Sequence, residues 1–178
     1  RLLPYFVFIM YILNQGSTIT QAMFFNCDHS MLSYRFFRQP DAILSLFKAR
    51  LKTIITINLI PSLVIAALLP LLLFVSGGTD NPVNYILLPV SIIFMSVFFS
   101  VHYLVIYYLL QPYDIHMQAK SHTYSIVCAV TYFVCYMFIR IQAPTLYFAA
   151  GVIIFTVLYI TLSLYLAYRF APKTFKLK

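Results

Sequence analysis

The chain has 178 residues, 62% of them hydrophobic and 9% charged, with a formal charge of +8 and a mean hydropathy of +0.89. A soluble domain is about one-quarter charged, so this composition excludes an ordinary globular enzyme and implies an all-α polytopic membrane protein, with apolar runs near the ~20-residue length of a membrane helix and without barrel-like alternation. In such a chain a cationic excess finds its counter-charge in anionic lipid or an acidic partner, not in nucleic acid.

Five transmembrane helices are expected, at about residues 2–23, 54–75, 85–110, 121–139 and 146–168, within a single transmembrane domain covering 1–178. The first is interrupted by Asn14, Gln15, Gly16 and Ser17, which need an interior or water-facing position. Residues 26–53 follow, with Arg35, Arg38, Lys48, Arg50 and Lys52 between two apolar stretches. Pro40 suits the first turn of a helix and Asp41 its positive end, so an amphipathic helix is expected to begin there and to run on into the second span. Pro61 and Pro70 should bend that span, because each removes a helical hydrogen bond. At ~100° per residue, Asp41, Ser45, Lys48 and Lys52 share one face, and Ile43, Leu44, Phe47, Leu51, Ile54 and Ile55 the other. Arg50 projects into the apolar face, where it must snorkel to headgroups or meet a carboxylate such as Asp28 or Asp114.

Further along, SGGTDNP at 76–82 marks a turn, Gln111-Pro112 closes the third span, and Gln142-Ala143-Pro144 separates the fourth from the fifth. Basic residues stay with the inner leaflet. With 26–53, the loop 111–120 carrying Lys120 and the basic tail 169–178 inside, ten of the twelve Lys and Arg residues fall on one side, the exceptions being Arg1 and Arg140. The two ends of the sequence then lie on opposite faces, and at least one earlier span is expected to precede Arg1 in the intact gene product.

There is no glutamate, and the four aspartates are Asp28, Asp41, Asp80 and Asp114, which removes HExxH chemistry and glutamate-based proton relays. Cys128 and Cys135 are seven residues apart on one helix, about 10 Å, too far for a disulfide. Cys27, Asp28 and His29 stand in immediate succession and do not form a converging ligand set, so no metal is assigned. His116 and His122 are the one pair that tempts an enzymatic reading; no catalytic residue is assigned. Asn14, Gln15, Asn58 and His102 are candidates to line a pathway, His102 together with Ser96 and Ser100. Each has an equal reading as a hydrogen bond between helices. Ser121, Ser125 and Ala129 recur every four residues and would admit a close helix neighbour, and Tyr107, Tyr108, Tyr113, Tyr165 and Tyr168 fit an interfacial aromatic belt.

The run MFFNCDHSMLSYRFFRQPDAILSLFKARLKTI at 23–54 and the run FFSVHYLVIYYLLQPYDIHMQAKSHTYSIV at 98–127 carry a resemblance. Through Asn-Cys-Asp, Arg-Gln-Pro-Asp and Tyr-Tyr-Leu-Leu-Gln-Pro-Tyr, the chain resembles the permease subunits of bacterial ATP-binding-cassette (ABC) exporters. The resemblance implies a six-helix or larger unit, paired as a homodimer or heterodimer in the bacterial cell membrane, with 26–53 as a cytoplasmic coupling segment seated on an ATPase subunit. Tyr34, Arg35, Arg38, Asp41, Lys48 and Lys52 are the expected docking residues, with Arg50 in the same segment; Gln111, Pro112, Tyr113, Asp114, His116 and Lys120 form a weaker candidate surface. ATP and Mg²⁺ would be bound by the partner, since the four glycines here do not form GxxxxGK[ST]. The alternatives are a transporter not driven by ATP, which would place ionisable groups at the bilayer midplane, and a structural or immunity-type membrane protein. Co-purification of a cassette ATPase separates these from the leading expectation.

Overall fold

The computed structural model describes residues 3–32, 39–78, 81–113 and 121–175, and among these the chain is helical throughout, with no strand. Helix α1 covers Leu3–Leu13 and α2 Gly16–Met23, the latter running into a π-helical turn at Phe24–Asp28. Helix α3 covers Pro40–Val75, α4 Asn84–Leu110, α5 His122–Met137 and α6 Thr145–Thr174. The stretches Asp41–Val75, Asn84–Leu110, His122–Arg140 and Thr145–Thr174 are long and apolar enough to cross a membrane, so the chain has the build of a helical, multi-pass membrane protein.

The first expected span differs from a membrane helix of ordinary form. It is two short helices, because the backbone leaves the helical path at Asn14 and Gln15. The second expected span is longer than its apolar core: the helix begins at Pro40, as its Pro-Asp start requires, and runs unbroken past Pro61 and Pro70. Gly77 and Gly78 follow with φ of 105° and 77°, a left-handed turn that glycine adopts without a Cβ penalty. At the end of α4, Gln111 has φ 39°; the following Pro112 disfavours a further right-handed helical residue, and the chain exits through the left-handed region instead.

Helix α4 is the axis of the molecule, with α3 and α6 packed along it and α1, α2 and α5 completing the surround. Two apolar clusters sit at its two ends. One joins Leu3, Val7 and Met10 to Ala66, Ile92, Met95, Phe99, Cys135 and Ala149. The other joins Phe24 to Ile43, Phe47, Ile54, Leu104, Tyr107, Tyr108, Ala167, Ala171 and Phe175. Residues 3–24 therefore run beside α4 from one end to the other in spite of their break. In lipid, apolar side chains gain little by leaving hydrocarbon for one another, so fit and interhelical hydrogen bonds hold such a bundle. Among those bonds are Asn58 Nδ2 to Ser100 Oγ (2.9 Å) between α3 and α4, and His102 to Tyr159 (2.7 Å) and Thr131 (3.0 Å) between α4 and its neighbours α6 and α5.

Candidate functional site

The amphipathic start of α3 has the two faces its sequence requires. Asp41, Ser45, Lys48 and Lys52 are exposed, while Ile43, Phe47 and Ile54 are buried in the cluster around the end of α4. Arg50 stands on the buried side and is 9% exposed. Its guanidinium forms an ion pair with Asp28, in the π-turn after α2, and donates to the Tyr108 hydroxyl at 2.7 Å. The Tyr107 hydroxyl donates to the other oxygen of Asp28. Arg50 is thus occupied inside the chain, and among the described residues of the expected docking group it is the one whose charge faces inward.

This pairing is built from three stretches of sequence. The π-turn Phe24–Asp28 carries the carboxylate inward while leaving Asn26 and Cys27 exposed. Consecutive Tyr107 and Tyr108 reach the two members of the pair, one hydroxyl on Asp28 and the other on Arg50. Phe47 meets the Tyr108 ring edge-on at 5.2 Å, and Phe175 stacks on that ring at 4.4 Å with 10° between planes. Thr174 then donates its hydroxyl to the Tyr108 carbonyl at 3.1 Å, so the end of α6 is tied to the same point. Burial pushes the Asp28 carboxyl above its ordinary range, with Arg50 and the Tyr107 hydroxyl pulling the other way.

Tyr107 and Tyr108 are fully buried and Tyr113 nearly so, which removes them from the expected aromatic belt. Tyr165 and Tyr168 are exposed near the end of α6, and Arg169 donates to the Tyr165 hydroxyl at 2.7 Å. The signal for Tyr107 was present in the spacing from Ser96, Ser100 and Tyr103, all on one buried face of α4. Ser125 and Ala129 face outward, and Ser121 caps α5 by accepting from the Tyr124 amide at 3.3 Å.

The four candidate pathway residues separate into two groups. Asn58 Oδ1 accepts from the Gln15 amide at 2.9 Å, and Asn14 Oδ1 accepts from the Gly16 amide at 2.8 Å, so these polar groups cap the start of α2 where the first segment breaks. Gly16 belongs to the same device: a Cβ there would lie 2.6 Å from Asn14 Oδ1 and 2.7 Å from Tyr103 Cβ. The Gln15 side chain is exposed. Ser96 and Ser100 turn toward Asn58, away from His102: Ser96 Oγ donates to the Asn58 carbonyl at 3.2 Å. His102 lies on the opposite face of α4, at a separate cavity with Thr131 and Tyr159. Gln111 is buried, and neither end of its amide has a partner among the described residues.

Tyr34, Arg35 and Arg38 of the expected docking group, and Asp114, His116 and Lys120 of the second loop, lie outside the described residues. No protein-family model matches the chain, and neither the curated proteins nor the solved structures give a match.

Proposed function

We propose that the chain is the membrane-spanning permease part of an ATP-driven exporter of the ABC type, in which a separate ATPase polypeptide binds ATP and Mg²⁺. The observation that carries this reading is the Asp28–Arg50 pair, because it joins an exposed, partly cationic helix face to the centre of the bundle. Asp41, Ser45, Lys48 and Lys52 present that face, continuous through one helix with the apolar stretch 54–75. A partner seated there would push on a rigid rod, and Arg50, Asp28, Tyr107 and Tyr108 would pass the displacement to α2 and α4.

The same reading takes residues 2–23 as a fifth, broken span, supported by their course along α4. It puts 26–53 and the C-terminus in the cytoplasm of a bacterial cell and pairs the chain with a second permease unit. Charged contacts of this kind set orientation and association rate more than affinity.

The test is co-purification of a cassette ATPase with the intact permease. Lys48→Glu with Lys52→Glu is expected to reduce recovery of the ATPase at least about tenfold, a loss of roughly 1.4 kcal/mol or more in association. Recovery unchanged by both reversals, or no ATPase retained by the unaltered protein, overturns the reading.

A further inference from the structure

A cavity of about 320 Å³ lies between α1, α4, α5 and α6, walled by Phe98, Phe99, Val134, Phe138, Val152 and Phe155 among others, with His102 and Tyr159 at one end. From the geometry we infer that it is a binding site for one hydrocarbon tail of an amphiphilic lipid. The inference rests on the chain crossing a bilayer and is independent of the ATPase docking above.

Size selects among occupants. The cavity spans Met95 to His102 on α4 and Val152 to Tyr159 on α6, eight residues each, or about 10 Å of helical rise. An engineered apolar cavity of about 150 Å³ stays dry and admits one benzene, so twice that volume suits a short length of chain or a small ring system.

Chemistry narrows it further. The Thr131 hydroxyl donates to the Val127 carbonyl at 2.8 Å, so it accepts from His102 Nε2–H at 3.0 Å, and His102 Nδ1 accepts from the Tyr159 hydroxyl at 2.7 Å. Both ring nitrogens of His102 are therefore occupied by protein partners, which leaves the imidazole nothing to offer a headgroup. The occupant is recognised by apolar contact, as a tail is.

Access settles the source. Val130, Val134 and Phe155 line the cavity and are 56%, 48% and 57% exposed on the bundle's flank, so it opens sideways, where the surrounding medium is lipid tails. Phe138, Val152 and Phe155 also wall a second depression of about 370 Å³, with Ala143, Tyr147, Phe148 and Gly151. The two form one apolar track leading from His102 to the end of the bundle that holds the α5–α6 connection.

The chain contains no tryptophan, so a single one reports on its own surroundings. Phe98→Trp in the full chain is titrated in detergent with stearic acid brominated at mid-chain; its emission is expected to fall to a plateau and to recover on adding unbrominated stearic acid. Ile60→Trp, on the flank of α3, is expected to show only a proportional, non-saturating decline. Each methylene kept out of the cavity weakens binding about fourfold, so Val134→Phe in the Phe98→Trp chain, displacing two or more, should weaken it more than about tenfold. Phe155→Trp, at the exposed mouth, gives the same readout if the interior substitution fails to fold. A flat or non-saturating titration at both tryptophans, or a plateau unmoved by Val134→Phe, overturns the proposal. Either result leaves the ATPase co-purification to be decided by its own outcome.

Discussion

Arg50 and Asp28 form the one ion pair among the described residues, and its cost to the protein appears when half of it is removed. A buried charge without its partner is destabilising by about 3–5 kcal/mol, whereas replacing both members by apolar groups is close to neutral. Asp28→Leu and Arg50→Met are each expected to lower unfolding stability in detergent by about that amount, and the double variant to recover most of the loss. Additive losses would show that the pair is not a pair. The sequence left Arg50 either to snorkel to headgroups or to meet a carboxylate such as Asp28 or Asp114; it held nothing to choose among these, because the choice depends on how the π-turn is rotated against α3. Tyr108 escaped for a related reason. A tyrosine near the end of a helix is equally suited to an interface or to an interior hydrogen bond, and only the neighbours at that depth decide.

At the scale of elements, the break between α1 and α2 is held from outside by α3. The Gln15 amide has lost its intrahelical partner and finds Asn58 Oδ1 instead. Asn58→Leu fills similar space without the acceptor, leaving a partly buried N–H unpaired at a cost of about 1–3 kcal/mol. Hydrogen exchange at residues 15–20 is expected to accelerate while the α4 interior, around Leu104, is unaffected. Unchanged exchange at Gln15 would mean that the junction is held by packing around Gly16 alone. The polar run Asn14-Gln15-Gly16-Ser17 made an interruption legible, since polar backbone at bilayer depth needs a partner. That the partner is an asparagine 43 positions away was not legible.

For the whole molecule the decisive quantity is length. Helix α3 has 36 residues, about 54 Å at 1.5 Å per residue, against a hydrocarbon core of about 30 Å. Some of it must project, and the amphipathic turns around Lys48 are the part that tolerates water. Arg169 and Lys173 are exposed at the same end of the bundle, where Ala167, Ala171 and Phe175 pack with Ile43 and Phe47. This end is the cationic one among the described residues, and the proposed orientation puts it inside the cell. With Cys27 changed to Ser, Lys52→Cys is expected to react with an impermeant maleimide in inverted vesicles and not in sealed cells. Ser76→Cys, at the opposite turn, is expected to show the reverse. Labelling of position 52 from the outer medium would overturn the orientation and the docking proposal with it.

The sequence by itself determined the helical membrane class, the start of α3 at its Pro-Asp pair, and the separation of Asp41, Ser45, Lys48 and Lys52 from the buried residues beside them. These follow from composition and from a period that repeats along one helix, both local properties. Only the tertiary structure decided that Arg50 meets Asp28, that Asn58 serves Gln15, and that Ser96 and His102 face different neighbours. Such pairings depend on the rotation of each helix about its axis and on its depth against the next, quantities that no single helix carries in its own period.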